Sequence, residues 1–226
     1  IAAWTLLAKV YLTFGKPGEA KTALEEAMKN PNYGLVNTTA DAFNVKNKFN
    51  KEIIFALYYN KANDTGHGYW YSTTKPEEAQ LTQPAPVFRA LYDARDNRLP
   101  LISEYTEDKK GTYLLNKWFD NRNDALKGNV VENDFPHLRY ADVVLMYAEA
   151  LAESGGSLGD ALVWLNKTRT RAGLDALRTE DIPSKGAFIE ALADERGREF
   201  ALEGHRWFDL VRLGLALDRF HEMGYK

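Results

Sequence analysis

The sequence predicts a mainly α-helical chain of tetratricopeptide-like helical hairpins, with an irregular loop and a small β insertion between the repeats. Three observations predict it: apolar residues recur at helical spacing toward both ends, Gly/Pro turns cut these stretches into pairs of short helices, and the middle changes character. In residues 1–30, Trp4, Leu7, Ala8 and Tyr11 share a helical stripe, and Phe14-Gly15-Lys16-Pro17-Gly18 ends it. A second helix follows with Ala20, Leu24 and Ala27 inward, before Asn30-Pro31. The spacing W-x2-L-A-x2-Y, then A-x3-L-x2-A, then Pro is close to a tetratricopeptide unit. The alanines let two helices approach closely, and the large residues fill the gaps.

A second hairpin is expected over residues 138–172. Val144, Tyr147, Ala148 and Leu151 form its first stripe, Ser154-Gly155-Gly156-Ser157 its turn, and Ala161, Leu165 and Thr168 its return face. Arg171-Ala172-Gly173 closes it with a glycine at the helix end. In the C-terminal part, 184–226, a helix should run from an N-cap at Ser184 to Glu203 with Gly204 as its stop, and another should start near Trp207. The intervening 37–135 segment differs. Glu52-Ile53-Ile54-Phe55-Ala56-Leu57-Tyr58-Tyr59 reads as a strand, and Thr112–Trp118 is a second candidate. A short helix is expected near Val87–Tyr92, between connections rich in Gly, Asn, Asp and Thr. Helical repeats do not need so long an insertion, and irregular insertions on rigid scaffolds commonly carry binding residues.

Composition narrows the function. The 226 residues carry 29 Lys plus Arg against 32 Asp plus Glu, a formal net charge of −3. That balance argues against nucleic acid as a partner, which calls for a basic stripe. No apolar run reaches the roughly 18 residues expected of a spanning helix. The absence of cysteine removes disulfides, thiolate metal sites and Cys nucleophiles. The opening Ile1-Ala2-Ala3-Trp4 already lies inside a periodic apolar pattern, so the chain is expected to be part of a longer protein.

Enzyme signatures do not hold up in context. Gly155-Gly156-Ser157-Leu158-Gly159 matches G-x-S-x-G, but it joins two helices where a nucleophile elbow needs a preceding strand. Gly66-His67-Gly68 lacks the third glycine of a dinucleotide fingerprint, because residue 71 is Tyr. The histidines at 67, 137, 205 and 221 have no i,i+3 or i,i+4 pair, so no metal and no cofactor is expected. Glu195, Glu199 and Glu203 fall at i, i+4 and i+8. Two of them could span the roughly 5–10 Å of a glycosidase pair, yet Arg196, Arg198, Arg206 and Arg212 favour a charged network joining helices. No catalytic residue is assigned.

The aromatic run Tyr69-Trp70-Tyr71 follows a polar loop that includes Asn63, Asp64 and His67. Three consecutive rings in an extended segment cannot all face one core, because side chains alternate. An exposed ring can stack on the C–H face of a sugar while Asn63, Asp64 and His67 bond its hydroxyls. Alternatively, Tyr69 and Tyr71 pack down and Trp70 covers the rim.

Several stretches together resemble one family. Leu138-Arg139-Tyr140-Ala141-Asp142-Val143-Val144-Leu145-Met146-Tyr147-Ala148-Glu149-Ala150-Leu151 is similar to the RYADVLLMYAEAL stretch of SusD/RagB-like proteins. Glu195-Arg196-x-x-Glu199-Phe200 and Glu203-Gly204-His205-Arg206-Trp207-Phe208-Asp209-Leu210-Val211-Arg212-x-Gly214 resemble its second signature. Leu165-Asn166-x-x-Arg169-x-Arg171-Ala172-Gly173-Leu174, Glu52-Ile53-Ile54-Phe55 and Asp93-Ala94-Arg95-Asp96-Asn97-Arg98 also fit. The resemblance implies that residues 1–226 are the C-terminal part of a single SusD/RagB-like domain. It implies a non-catalytic, surface-exposed outer-membrane lipoprotein, anchored through a cysteine outside this chain. Such proteins capture oligosaccharides, polysaccharides or, in some branches, peptides for a SusC-like TonB-dependent transporter. It reads the two long signatures as fold residues and places ligand contacts in variable loops, including the insertion that holds Tyr69, Trp70 and Tyr71. A helical-repeat module binding a peptide or protein is the alternative, with a glycoside hydrolase third.

Overall fold

A computed structural model describes residues 1–60, 85–102, 104–105, 113–114, 116–118, 132–222 and 224. In chain order the helices and strands are α1 (Ala2–Thr13), α2 (Pro17–Met28), α3 (Thr39–Ala42), β1 (Ile53–Leu57), α4 (Pro86–Arg89), α5 (Leu99–Ile102), β2 (Glu104–Tyr105) and β3 (Tyr113–Leu114). They continue with β4 (Phe135–Arg139), α6 (Tyr140–Glu153), α7 (Leu158–Arg171), α8 (Lys185–Glu199), α9 (Arg206–Arg212) and α10 (Ala216–Glu222). Among the described residues no helix is long and apolar enough to cross a membrane.

Both expected hairpins form. Gly15 takes a left-handed φ of 67° between α1 and α2, and Pro17 opens α2 where its missing N–H costs nothing. Ala8, Ala20, Leu24 and Ala27 are fully buried, and the hairpin packs on Val143, Met146 and Ala150 of α6. The stripe on α1 differs from its sequence reading by one position: Thr5 is buried, whereas Trp4 is 44% exposed. A seam narrow enough for alanine backbones admits a threonine and excludes an indole. In the second hairpin Ser157 caps α7, accepting from Asp160 N at 3.0 Å, so the G-x-S-x-G match is a helix cap. Ala161, Leu165 and Thr168 face inward. Phe188 and Leu192 of α8 complete that core.

Strand β1 pairs antiparallel with β4, from Ile53 opposite Arg139 to Leu57 opposite Phe135. The sequence reading found β1 but not its partner. Phe135-Pro136-His137-Leu138-Arg139 carries a proline, which argues against a strand except at an edge or irregularity, and the ladder is irregular around Phe55. Within the strand expected over Thr112–Trp118, Tyr113–Leu114 pairs with β2. Asn116–Trp118 instead makes a 3-10 turn that buries Lys117 and Trp118. Helix α8 starts at its Ser184 cap, bonded by Ala187 N at 3.1 Å, but stops at Glu199 rather than Glu203. Leu202 and Gly204 then adopt left-handed φ values of 66° and 80°. The carbonyls of Glu199 and Ala201 turn to the Lys117 ammonium at 3.0 and 2.8 Å, which substitutes for further helix.

Candidate functional site

The insertion is fastened to the helices by a buried hub of charge. Arg139, at the β4–α6 junction, donates to Glu203 through Nε (2.7 Å), and through Nη1 to Glu52 (2.7 Å) and Glu199 (2.6 Å). Arg171 bridges Glu52 and Glu199 at 2.8 and 2.5 Å. Arg98 reaches Glu195 at 2.7 Å, Glu199 at 3.0 Å and Asp96 at 2.8 Å. Lys117 closes on Glu203 at 2.6 Å. Burial by itself would raise the carboxyl pKa values, but the surrounding cations outweigh it. Glu195 and Glu203 lie below the ordinary range, and Glu199, against Arg171, Arg139 and Arg98, lies well below it. Burial also pulls Lys117 down to about 8, against the opposing pull of Glu203.

Of these carboxylates, Glu203 alone lines the cavity between α1, β4 and α9. Glu195 and Glu199 are fully buried and held by guanidinium groups, so the charged-network reading of this helix describes the geometry. Glu203 joins them from the turn after α8, not from a third helical position. A second network lies behind: Arg196 contacts Asp142 and Asp209, each at 2.8 Å, and Arg212 pairs with Asp209 and Glu149.

A cavity of about 440 Å³ opens between α1, β4 and α9, lined in part by Lys9, Thr13, His137, His205, Trp207 and Phe208. His205 stacks on Phe200 at 4.6 Å, and its Nδ1 lies 3.5 Å from the Lys9 ammonium, which itself bonds Asp142 at 2.9 Å. Burial lowers the His205 pKa to about 4, with Asp142 opposing and Lys9 reinforcing. The folded value therefore lies below the unfolded one, near 6.5. The unfolded chain binds the extra proton between the two, so His205 contributes stability that is present above about pH 6.5 and lost as pH falls through 4. We expect the Tm advantage of the wild type over His205→Gln to shrink from pH 7 to pH 4.5. Parallel Tm curves would contradict this.

The insertion's surface begins at the β1–β4 ribbon. Phe55 and Leu57 on β1 and His137 on β4 face outward. Beyond β1, Asp134 accepts from Tyr59 N at 3.0 Å, and Lys48 bonds both Asp134 (2.7 Å) and the Tyr59 carbonyl (2.6 Å). The Tyr58 ring stacks on Phe49 with centroids 5.5 Å apart and planes 24° from parallel. Phe49 is 69% exposed and Tyr58 48%. Phe49 has a left-handed φ of 54°, a conformation costing a non-glycine residue on the order of 1–2 kcal/mol. The sequence reading missed this pair, because an isolated Phe in a polar turn carries no periodic signal. The six residues it did single out, Asn63, Asp64, His67, Tyr69, Trp70 and Tyr71, lie outside the described residues.

Comparison with known proteins places this architecture. SusD-like protein P25 of Formosa agariphila is 26% identical over 243 residues, covering 86% of this chain and 46% of the relative. A SusD superfamily protein from Bacteroides vulgatus has a crystal structure that matches with a TM-score of 0.79 and 27% identity, over 98% of this chain and 53% of that one. A laminarin-binding SusD-like protein matches with a TM-score of 0.72 and 26% identity, over 99% of this chain and 56% of its own. The chain thus spans about half the length of these relatives. Residues 96–226, which contain both long signatures and most of the buried hub, match the SusD family, and the chain belongs to that family.

Proposed function

We propose that this chain forms part of a non-catalytic surface protein that captures oligosaccharides or polysaccharides. It would hand them to a SusC-like TonB-dependent transporter from a lipid-anchored position on the outer membrane. The observation that carries this reading is the match of nearly the whole chain to a protein that binds laminarin. Burial of Glu195 and Glu199 among arginines supports capture over hydrolysis, since a glycosidase pair must meet its substrate. Asn63, Asp64, His67, Tyr69, Trp70 and Tyr71, which follow Asn60 in the sequence, are the proposed glycan contacts. Weak contacts suffice where many copies hold one polymer, because attachment at one site raises the effective concentration at the next.

Calorimetry of the intact protein against a panel of polysaccharides and peptides tests the reading. Trp70→Ala should lower glycan affinity about tenfold, the loss of about one stacking contact, while Tm stays nearly constant. Unaltered affinity, or a large fall in Tm, would show that Trp70 is no platform. Binding of peptides alone would move the function to peptide capture, and product released on long incubation would revive hydrolysis.

A further inference from the structure

The chain just past α8 departs from what its sequence favours. Phe200-Ala201-Leu202-Glu203-Gly204 follows Glu199. Ala, Leu and Glu are strong helix formers, and glycine suits the position just past a helix end. Yet the helical bonding ends with Phe200 N, which donates to the Arg196 carbonyl at 2.9 Å, and Glu203 N turns to the Phe200 carbonyl at 3.0 Å. Leu202 takes a left-handed φ of 66°, a strained conformation for a residue with a bulky side chain. Strain of this kind persists only where the surroundings over-determine it.

The insertion supplies those surroundings. In a continued helix the carbonyls of Arg198, Glu199 and Ala201 would accept from the N–H groups of Leu202, Glu203 and His205. Here the buried Tyr92 hydroxyl donates to the Arg198 carbonyl at 2.9 Å. The Lys117 ammonium donates to the carbonyls of Glu199 (3.0 Å) and Ala201 (2.8 Å) and to Glu203 Oε1 (2.6 Å). Arg139 also reaches the Glu199 carbonyl, at 2.8 Å, but β4 runs directly into α6, so that contact comes from the helical scaffold. Leu202 itself packs into the apolar clusters of Trp118 and Tyr92. The end of α8 is thus set by side chains 82 and 106 residues away in sequence.

We propose that residues 200–203 are a conformational switch, held as a turn by Tyr92 and Lys117 of the insertion, and that withdrawal of these two donors lets α8 continue to Glu203. The freed carbonyls then take the N–H groups of Leu202 and Glu203, and Leu202 gives up its left-handed backbone. The change has a far end. Glu203, Gly204 and His205 line the cavity between α1, β4 and α9, and Arg139 holds the Glu203 carboxylate there with two bonds. Winding 200–203 into helix moves these three residues, so a shift of the insertion at Tyr92 and Lys117 reaches the cavity wall. Coupling between two places in a fold requires such an element with two discrete arrangements.

The test is amide hydrogen exchange of the intact protein, read at Leu202 and Glu203 in wild type, in Tyr92→Phe and in Tyr92→Phe/Lys117→Met. The sign decides. If the two side chains only brace the turn, their loss loosens it and protection falls. If they hold a switch, both amides gain helical hydrogen bonds, and protection in the double variant should rise about tenfold, as one net hydrogen bond each implies. Adding Leu202→Gly should bring protection back to within about twofold of wild type, because glycine disfavours helix and adopts the left-handed turn without strain. Unchanged or lower protection in the double variant would overturn the switch, and so would a gain that survives Leu202→Gly. Should the double variant fail to fold, Tyr92→Phe decides alone, since it keeps the ring and removes only the hydroxyl. A rise of about twofold or more at the Leu202 amide supports the switch, and no rise overturns it.

Discussion

Replacing Arg139 with Met should cost about 3–5 kcal/mol, the usual result of removing one partner from a buried ionic cluster. The guanidinium makes five hydrogen bonds, to Glu52, Glu199 and Glu203 side chains and to the Glu199 carbonyl. It also lies over the Phe200 ring at 4.5 Å. Methionine replaces much of the volume and leaves the carboxylates short of positive charge. Arg139→Lys should recover only part of the loss, because one ammonium cannot reproduce a planar fork. Acid provides an internal check. Glu199 and Glu203 have depressed folded pKa values, so their contribution is present above the unfolded carboxyl range and lost as pH falls through the folded values. The gap between wild type and Arg139→Met in urea unfolding should therefore narrow as pH falls through that range. A gap that stays constant would mean that lost packing, not charge, causes the effect.

A second large effect is expected at Trp118. Its side chain is fully buried, with Phe43 edge-on at 5.0 Å and Phe135 stacked at 5.2 Å. Val36 and Ala42 belong to the same cluster. This ring joins the first turns of the insertion to its last strand and to the 3-10 turn of Asn116–Trp118. Trp118→Ala should lower stability by about 3–5 kcal/mol, read as a shift in urea midpoint, whereas Trp118→Phe should keep much of the cluster. A loss below about 1 kcal/mol would show that the insertion does not depend on this peg.

How much was legible follows from how local each signal is. The two hairpins, their Gly/Pro turns and the Ser184 cap are written in neighbouring residues, and they stand where the sequence placed them. The long signatures identified the family, and the mixture of Glu and Arg within them announced a charged network. The network's membership was less visible. Lys117 and Arg98 belong to segments that carry no helical pattern, and only folding brings them to Glu203 and Glu195. Strand β4 was missed for a related reason: its partner β1 lies far away in sequence, and Pro136 disguises it. For the site, sequence drew attention to rings clustered in a row, and folding brought out a pair separated by the whole of β1.

By itself, then, the sequence determined the helical hairpins, the mildly acidic charge balance and the family, because composition, periodicity, caps and motifs need no distant contact. Tertiary structure decided where α8 ends, which strand pairs with β1 and which carboxylates are spent on arginines. It also decided that Thr5 rather than Trp4 enters the buried seam of α1. Each of these depends on what a distant segment brings within a few ångströms, and no local pattern records that.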